Sequence, residues 1–133
     1  MGTTKKMNAA GWYAKACGFD SNGLEEQAEP CYAMVYKLGW RALPGKERPG
    51  FFVGYGSTLR NNRKLARSAA ILREGVRLFP RYAALKVFLA LTLRLAGKYK
   101  AASDVLLKAC LDMPQGAFDG YERAIKHYEA ADA

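Results

Sequence analysis

Apolar and small residues recur along this chain at a fixed interval of 34 residues. Gly56 returns as Ala90, Leu59 as Leu93, Ser68 as Ala102, Leu72 as Leu106, Gly75 as Ala109 and Pro80 as Pro114. Small positions stay small and large apolar positions stay large. Within one interval the spacing is helical. Leu85, Leu89, Thr92 and Leu93 share one face, and Gly97 follows as a stop signal. Tyr99, Ala102, Leu106, Ala109 and Cys110 then form the inner stripe of a second helix, ended by Pro114. A period of this length made of two helices predicts a stacked array of helix pairs, not a globule built around one catalytic pocket.

The same pattern extends towards the N-terminus with a longer step. Trp12, Ala16, Phe19, Ala28 and Tyr32 reappear 40 residues later as Phe52, Gly56, Leu59, Ser68 and Leu72. The six extra residues are assigned to Leu43–Arg48, whose turn dipeptide and charged neighbours read as a lengthened surface loop. The expected units are residues 9–42, 49–82 and 83–116, after a disordered or extended tail at 1–8. The first unit is expected to be helical over 9–19 and 24–38. The second begins after Pro49, breaks at Asn61–Asn62 and resumes from about Arg63 to Phe79. A capping helix is expected over 117–130, with Phe118, Tyr121, Ile125 and Tyr128 as its apolar stripe. The fold class is therefore all-α: three helix pairs plus a C-terminal cap within one domain, 9–131.

Close approach of helices requires small contact residues. Ala16, Gly56 and Ala90 supply them on the first helices, and Ala28, Ser68 and Ala102 on the second. Two features strain the pattern. Pro30 falls inside a helix and predicts a kink or a late start, and Gly50, Gly54 and Gly56 crowd one short helix. Only Gly56 has an evident packing reason.

Composition narrows the function classes. Half of the 133 residues are apolar, enough for a core, and no run approaches the ~20 apolar residues of a membrane span. The start of the chain carries neither a signal-peptide core nor the myristoylation pattern, so a cytoplasmic location is expected. Cys17, Cys31 and Cys110 lack zinc or redox spacing and read as packed, reduced thiols. The net charge of +9 is concentrated centrally: residues 37–108 carry sixteen basic and three acidic side chains.

The third unit places Lys86, Leu89, Ala90 and Leu93 before Ala102, Leu106 and Pro114, with Gly97 and Tyr99 between the helices. The second reads Phe52, Tyr55, Gly56, Leu59, Ser68, Leu72, Pro80, and the first reads Trp12, Lys15, Ala16, Phe19, Ala28, Tyr32. These residues resemble the tetratricopeptide repeat over 9 to about 130. Lys15 and Lys86 depart from it at apolar positions, and Trp40 stands where proline is usual. GLEEQAEPCY, GYGSTLRNN and FPRYAALKVFLALTLRLAGKYKAA further resemble a small bacterial three-repeat family, in which some members look dimeric. The resemblance implies a right-handed α–α superhelix that binds other proteins. It also implies a concave groove lined by Tyr13, Cys17, Val53, Ser57, Arg60, Val87, Leu91 and Arg94. Relatives that grip a peptide C-terminus use Lys, Asn and Arg at positions occupied here by Tyr13, Cys17, Gly54, Ala84 and Phe88, so that carboxylate clamp is missing. An apolar groove rimmed by Arg60 and Arg94 instead suits an amphipathic helix, an acidic-hydrophobic segment or a second copy of the chain.

The runner-up surface is basic. Arg63, Lys64, Arg67, Arg73 and Arg77 are read as lying on one helix, with Arg67, Arg73 and Arg77 on its convex side; RNA or an acidic surface would be the ligand. No aromatic is expected to interleave with them as a stacking platform, which makes nucleic acid the less favoured partner. No catalytic residue, metal ligand or cofactor site is assigned. His127 is the lone histidine, far in sequence from every cysteine, and GYGSTLR lacks the spacing and lysine of a phosphate loop.

Overall fold

The computed structural model describes residues 6–114 and 121–131. Seven α-helices occupy them: α1 (Ala9–Ser21), α2 (Glu25–Leu38), α3 (Arg48–Asn61), α4 (Leu65–Leu78), α5 (Ala83–Leu95), α6 (Tyr99–Leu111) and α7 (Glu122–Ala131). No strand occurs among the described residues. Helices α1 and α2, α3 and α4, and α5 and α6 pack as antiparallel neighbours. Consecutive pairs join through α2 on α3 and α4 on α5, and the first helices touch one another, α1 on α3 and α3 on α5. This is an all-helical tetratricopeptide-like α–α superhelix. The start expected for the cap, 117–120, and Phe118 with it, lies outside the described residues, as do residues 1–5 of the tail.

The turns inside the three pairs close identically, because the same orphan carbonyl is capped each time. Leu24 N–H donates to Phe19 O at 2.9 Å, Lys64 N–H to Leu59 O at 2.9 Å, and Lys98 N–H to Leu93 O at 2.8 Å. Each turn needs one left-handed residue. Gly23 (φ 72°) and Gly97 (φ 79°) provide it freely, whereas the middle turn uses Arg63 at φ 64°. Arg63 and Lys64 therefore sit in the turn, and α4 starts only at Leu65, which corrects their placement on that helix. A side chain in the left-handed region costs about 1–2 kcal/mol, partly offset by glycine's greater entropy when unfolded. Arg63→Gly is expected to raise stability by about 1 kcal/mol, read as a higher urea midpoint at unchanged m-value.

The six-residue insertion is more than a surface loop. Two 3-10 turns, Trp40–Ala42 and Gly45–Glu47, carry the chain from α2 to α3. Trp40 and Leu43 are both buried. The Trp40 ring meets Phe52 edge-on at 5.0 Å and Phe79 at 5.9 Å, and Arg41 stacks over its other side at 4.2 Å. Arg48 ties the turns down by donating from Nε to Leu43 O at 2.9 Å and from Nη2 to Arg41 O at 2.7 Å. Trp40 thus wedges between pairs where proline is usual.

Pro30 neither delays nor ends α2. The helix starts at Glu25 and runs through it, so the proline removes only one bond near the first turns. Gly54 gains a packing reason: a Cβ there would lie 2.5 Å from the Tyr32 hydroxyl of the preceding pair. Ala16, Ala28, Ala90 and Ala102 are all buried, as the small-residue pattern requires. Lys86 is accounted for by its pairing with Asp112 and its bond to Pro80 O, and Lys15 by its position over the Trp12 ring.

One buried polar link crosses the core. Ser68 Oγ lies 2.7 Å from Gly56 O and 3.0 Å from Thr92 Oγ1, joining α3, α4 and α5. Both hydroxyl-bearing residues are fully buried. Ser68→Ala is expected to cost about 1–3 kcal/mol, because Thr92 loses a partner where water cannot replace it. A shift below 0.5 kcal/mol, on the order of experimental noise, would contradict the link.

The last pair differs from the expected stripe. Ala102 and Ala109 are buried, but Tyr99 is 69% exposed, Leu106 42%, and Cys110 is also exposed. Leu72 and Tyr32, the equivalents of Leu106, are both buried. Among the described residues only α7 follows α6, and Leu106 stays exposed. Tyr121 is 67% exposed as well, so it does not act as the inward stripe residue expected of the cap.

Candidate functional site: the concave face of α1, α3 and α5

Because the first helices pack side by side, residues of equal register form rows across them. The row chosen by the 40- and 34-residue offsets is Asp20, Arg60 and Arg94. A second row is Cys17, Ser57 and Leu91, and a third is Tyr13, Val53 and Val87.

The α1 end of this face is filled. Tyr13 is half-buried, with its ring 6.3 Å from those of Tyr32 and Phe51. Tyr32 stacks on Tyr55 and donates its hydroxyl to Asp20 Oδ2 at 2.7 Å. Burial and that bond to Asp20 hold the Tyr32 phenol protonated, well above its usual range. Cys17 sits among Tyr13, Tyr32 and Asp20. Burial pushes its thiol up, so it is a poor nucleophile at neutral pH. Tyr13 and Cys17 thus form a packed end wall.

The α3 and α5 portion is open. Val53 and Ser57 are half-buried, and Ser57 Oγ donates to Gly54 O at 3.2 Å. Val87 is 39% exposed, Leu95 43%, and Leu91 lies half-buried between them. Arg60 donates from Nη1 to Asn61 Oδ1 at 3.0 Å, and Asn61 in turn donates to Glu25 Oε1 at 3.3 Å. The Arg60 Nε is covered and has no hydrogen-bond partner. Arg94 is exposed. Among the described residues neither arginine forms an ion pair, whereas Lys64, Lys86 and Lys100 each do. Asp20, Asn61 and Leu95 were not singled out as groove residues, although the same repeat offsets point to Asp20 and the next register to the other two.

The basic surface is more divided than the chain order suggests. Lys64 pairs with Glu29, whose other oxygen accepts from Asn62 at 2.8 Å. Arg67 lies 5.4 Å over the Tyr36 ring, and Tyr36 donates to Glu74 at 2.8 Å. An aromatic therefore does stand beside the belt, half-buried and committed to a carboxylate, so it is no free stacking platform. Arg73 and Arg77 are exposed, and Arg73 shares a shallow cleft between α4 and α5 with Lys98.

No cluster of His, Cys, Asp and Glu suited to a metal ion occurs among the described residues, and no helix there is long and apolar enough to cross a membrane. The family model for the tetratrico peptide repeat matches residues 9–131, and the chain belongs to that family. Its members generally act as non-catalytic scaffolds that bind other proteins. A search of the curated proteins finds no match to the chain, and a search of the solved structures finds none either.

Proposed function

We propose that this protein is a non-catalytic adaptor that docks a helical or extended segment of a partner protein on the concave face between α3 and α5. The observation that carries the reading is the juxtaposition of exposed Val87 and Leu95 with two cations, Arg60 and Arg94, that form no ion pair among the described residues. Apolar side chains left open beside uncompensated charge mark contact surfaces. The basic belt contributes less, because Lys64 and Arg67 already have intramolecular partners, which leaves Arg73 and Arg77 as its exposed cations. Polyanion binding through that belt is the alternative.

Affinity capture from native extract, run in parallel with wild-type protein and Leu91→Glu, separates the two. A charge placed on a desolvated apolar contact costs several kcal/mol, so Leu91→Glu is expected to lose the partner by about 100-fold or more while wild-type binding persists at high salt. Retention by both proteins, or recovery of nucleic acid alone with loss at high salt, contradicts the groove reading.

A further inference from the structure

Taking the concave face as the docking surface, on which this inference rests, we propose that its occupant is an amphipathic helix with two carboxylates about two turns apart. These carboxylates sit on Arg60 and Arg94, and the apolar side chains between them sit on Leu91 and Leu95. Arg60 and Arg94 hold the same register on α3 and α5, which are in direct contact. Helices in contact lie ~8–10 Å apart, which sets the spacing of the two arginine backbones. On a helix, residues seven apart share a face and are separated by ~10.5 Å along the axis. On an extended strand, same-side residues fall ~6.6 or ~13 Å apart and straddle that spacing. The helix is the better match, and its positions three and four residues on would meet Leu91 and the exposed Leu95.

Arg60 has donors to spare for such a carboxylate. Its Nη1 is already engaged by Asn61, while its Nε is covered and unpaired. A buried donor without an acceptor is an unstable arrangement, and turning the guanidinium outward relieves it. The Nε and Nη2 donors then present the fork that a carboxylate fills with two parallel bonds. Arg94 is exposed and needs no such movement. In the first unit the same register holds Asp20, which already accepts from Tyr32 and repels a further carboxylate. The acidic residues of the guest are therefore confined to the α3–α5 end, which gives the groove a polarity.

The test is selection from a displayed library of helical peptides, about 18 residues long and randomised on one face, against wild type, Arg60→Gln, Arg94→Gln and Leu91→Glu, each checked for unchanged helix content. Wild type is expected to enrich Asp or Glu pairs seven residues apart with large apolar residues between them. Changing either Glu of an enriched peptide to Gln is expected to weaken its Kd about tenfold. The Gln change opposite a substituted arginine is expected to have no further effect, which assigns the contact. Enriched peptides lacking the spaced carboxylates, equal Kd for Glu and Gln versions, or no enrichment at all would overturn the proposal. If such peptides still fail on Leu91→Glu, the groove stands and only the carboxylate seat falls. If they bind Leu91→Glu as well as wild type, the groove reading itself falls.

Discussion

Phe52→Ala is expected to destabilise the protein by about 3–5 kcal/mol, the cost of a large core cavity. Phe52 is fully buried and is the point where three segments converge. Its ring meets Trp40 at 5.0 Å, Phe51 at 5.1 Å and Phe79 at 6.0 Å, and its Cβ lies 2.9 Å from where a Cβ on Gly75 would stand. Truncation removes the partner that holds the Trp40 wedge and opens the joint between the first two pairs. Total stability in a domain of this size is about 5–15 kcal/mol, so the variant is expected to lose a large share of its margin and to unfold at a markedly lower urea concentration. Urea denaturation followed by circular dichroism measures it. A loss under about 1 kcal/mol would mean that the aromatic cluster does not hold the pairs together.

The second large effect lies at the contact of Gly56 with Leu72. A Cβ on Gly56 would fall 2.4 Å from Leu72 Cγ, although the equivalent positions in the other pairs are Ala16 and Ala90. Gly56→Ala gains about 1 kcal/mol of helix propensity yet is expected to destabilise by about 1–3 kcal/mol through overpacking. Leu72→Ala alone is expected to cost about 2–5 kcal/mol. In the double variant the clash is gone, so Gly56→Ala is expected to stabilise the Leu72→Ala background by about 1 kcal/mol. This reversal of sign, read from a double-mutant cycle, is specific to direct contact. Additive effects would contradict the geometry.

The recurrence of small and large positions made the array legible, because nesting helices demand small residues at fixed register, and Ala16, Gly56 and Ala90 report that demand directly. The insertion misled because Pro44, Gly45 and their charged neighbours look like a loop, while the residues that anchor it, Trp40 and Leu43, stand at its edge. The exposed stripe of α6 was illegible for another reason. Apolar spacing tells which face of a helix turns inward, but not how fully that face is covered, and Leu106 is exposed where Leu72 is buried. Gly54 could be explained only across pairs, once the Tyr32 hydroxyl was seen above it. At the proposed groove, register alone points to Arg60 and Arg94. That Tyr13 and Cys17 close one end of it depends on the Tyr13, Tyr32 and Phe51 contacts, which link residues far apart in sequence.

Hydrogen–deuterium exchange of the partner complex isolated by capture addresses the central claim most directly, since it reports which backbone segments a partner covers. The concave-face account predicts new protection concentrated on α3 and α5 around Val53, Ser57, Arg60, Leu91 and Arg94, with the α4 segment bearing Arg67, Arg73 and Arg77 unchanged. Protection confined to that α4 segment, or to the exposed face of α6, would contradict it.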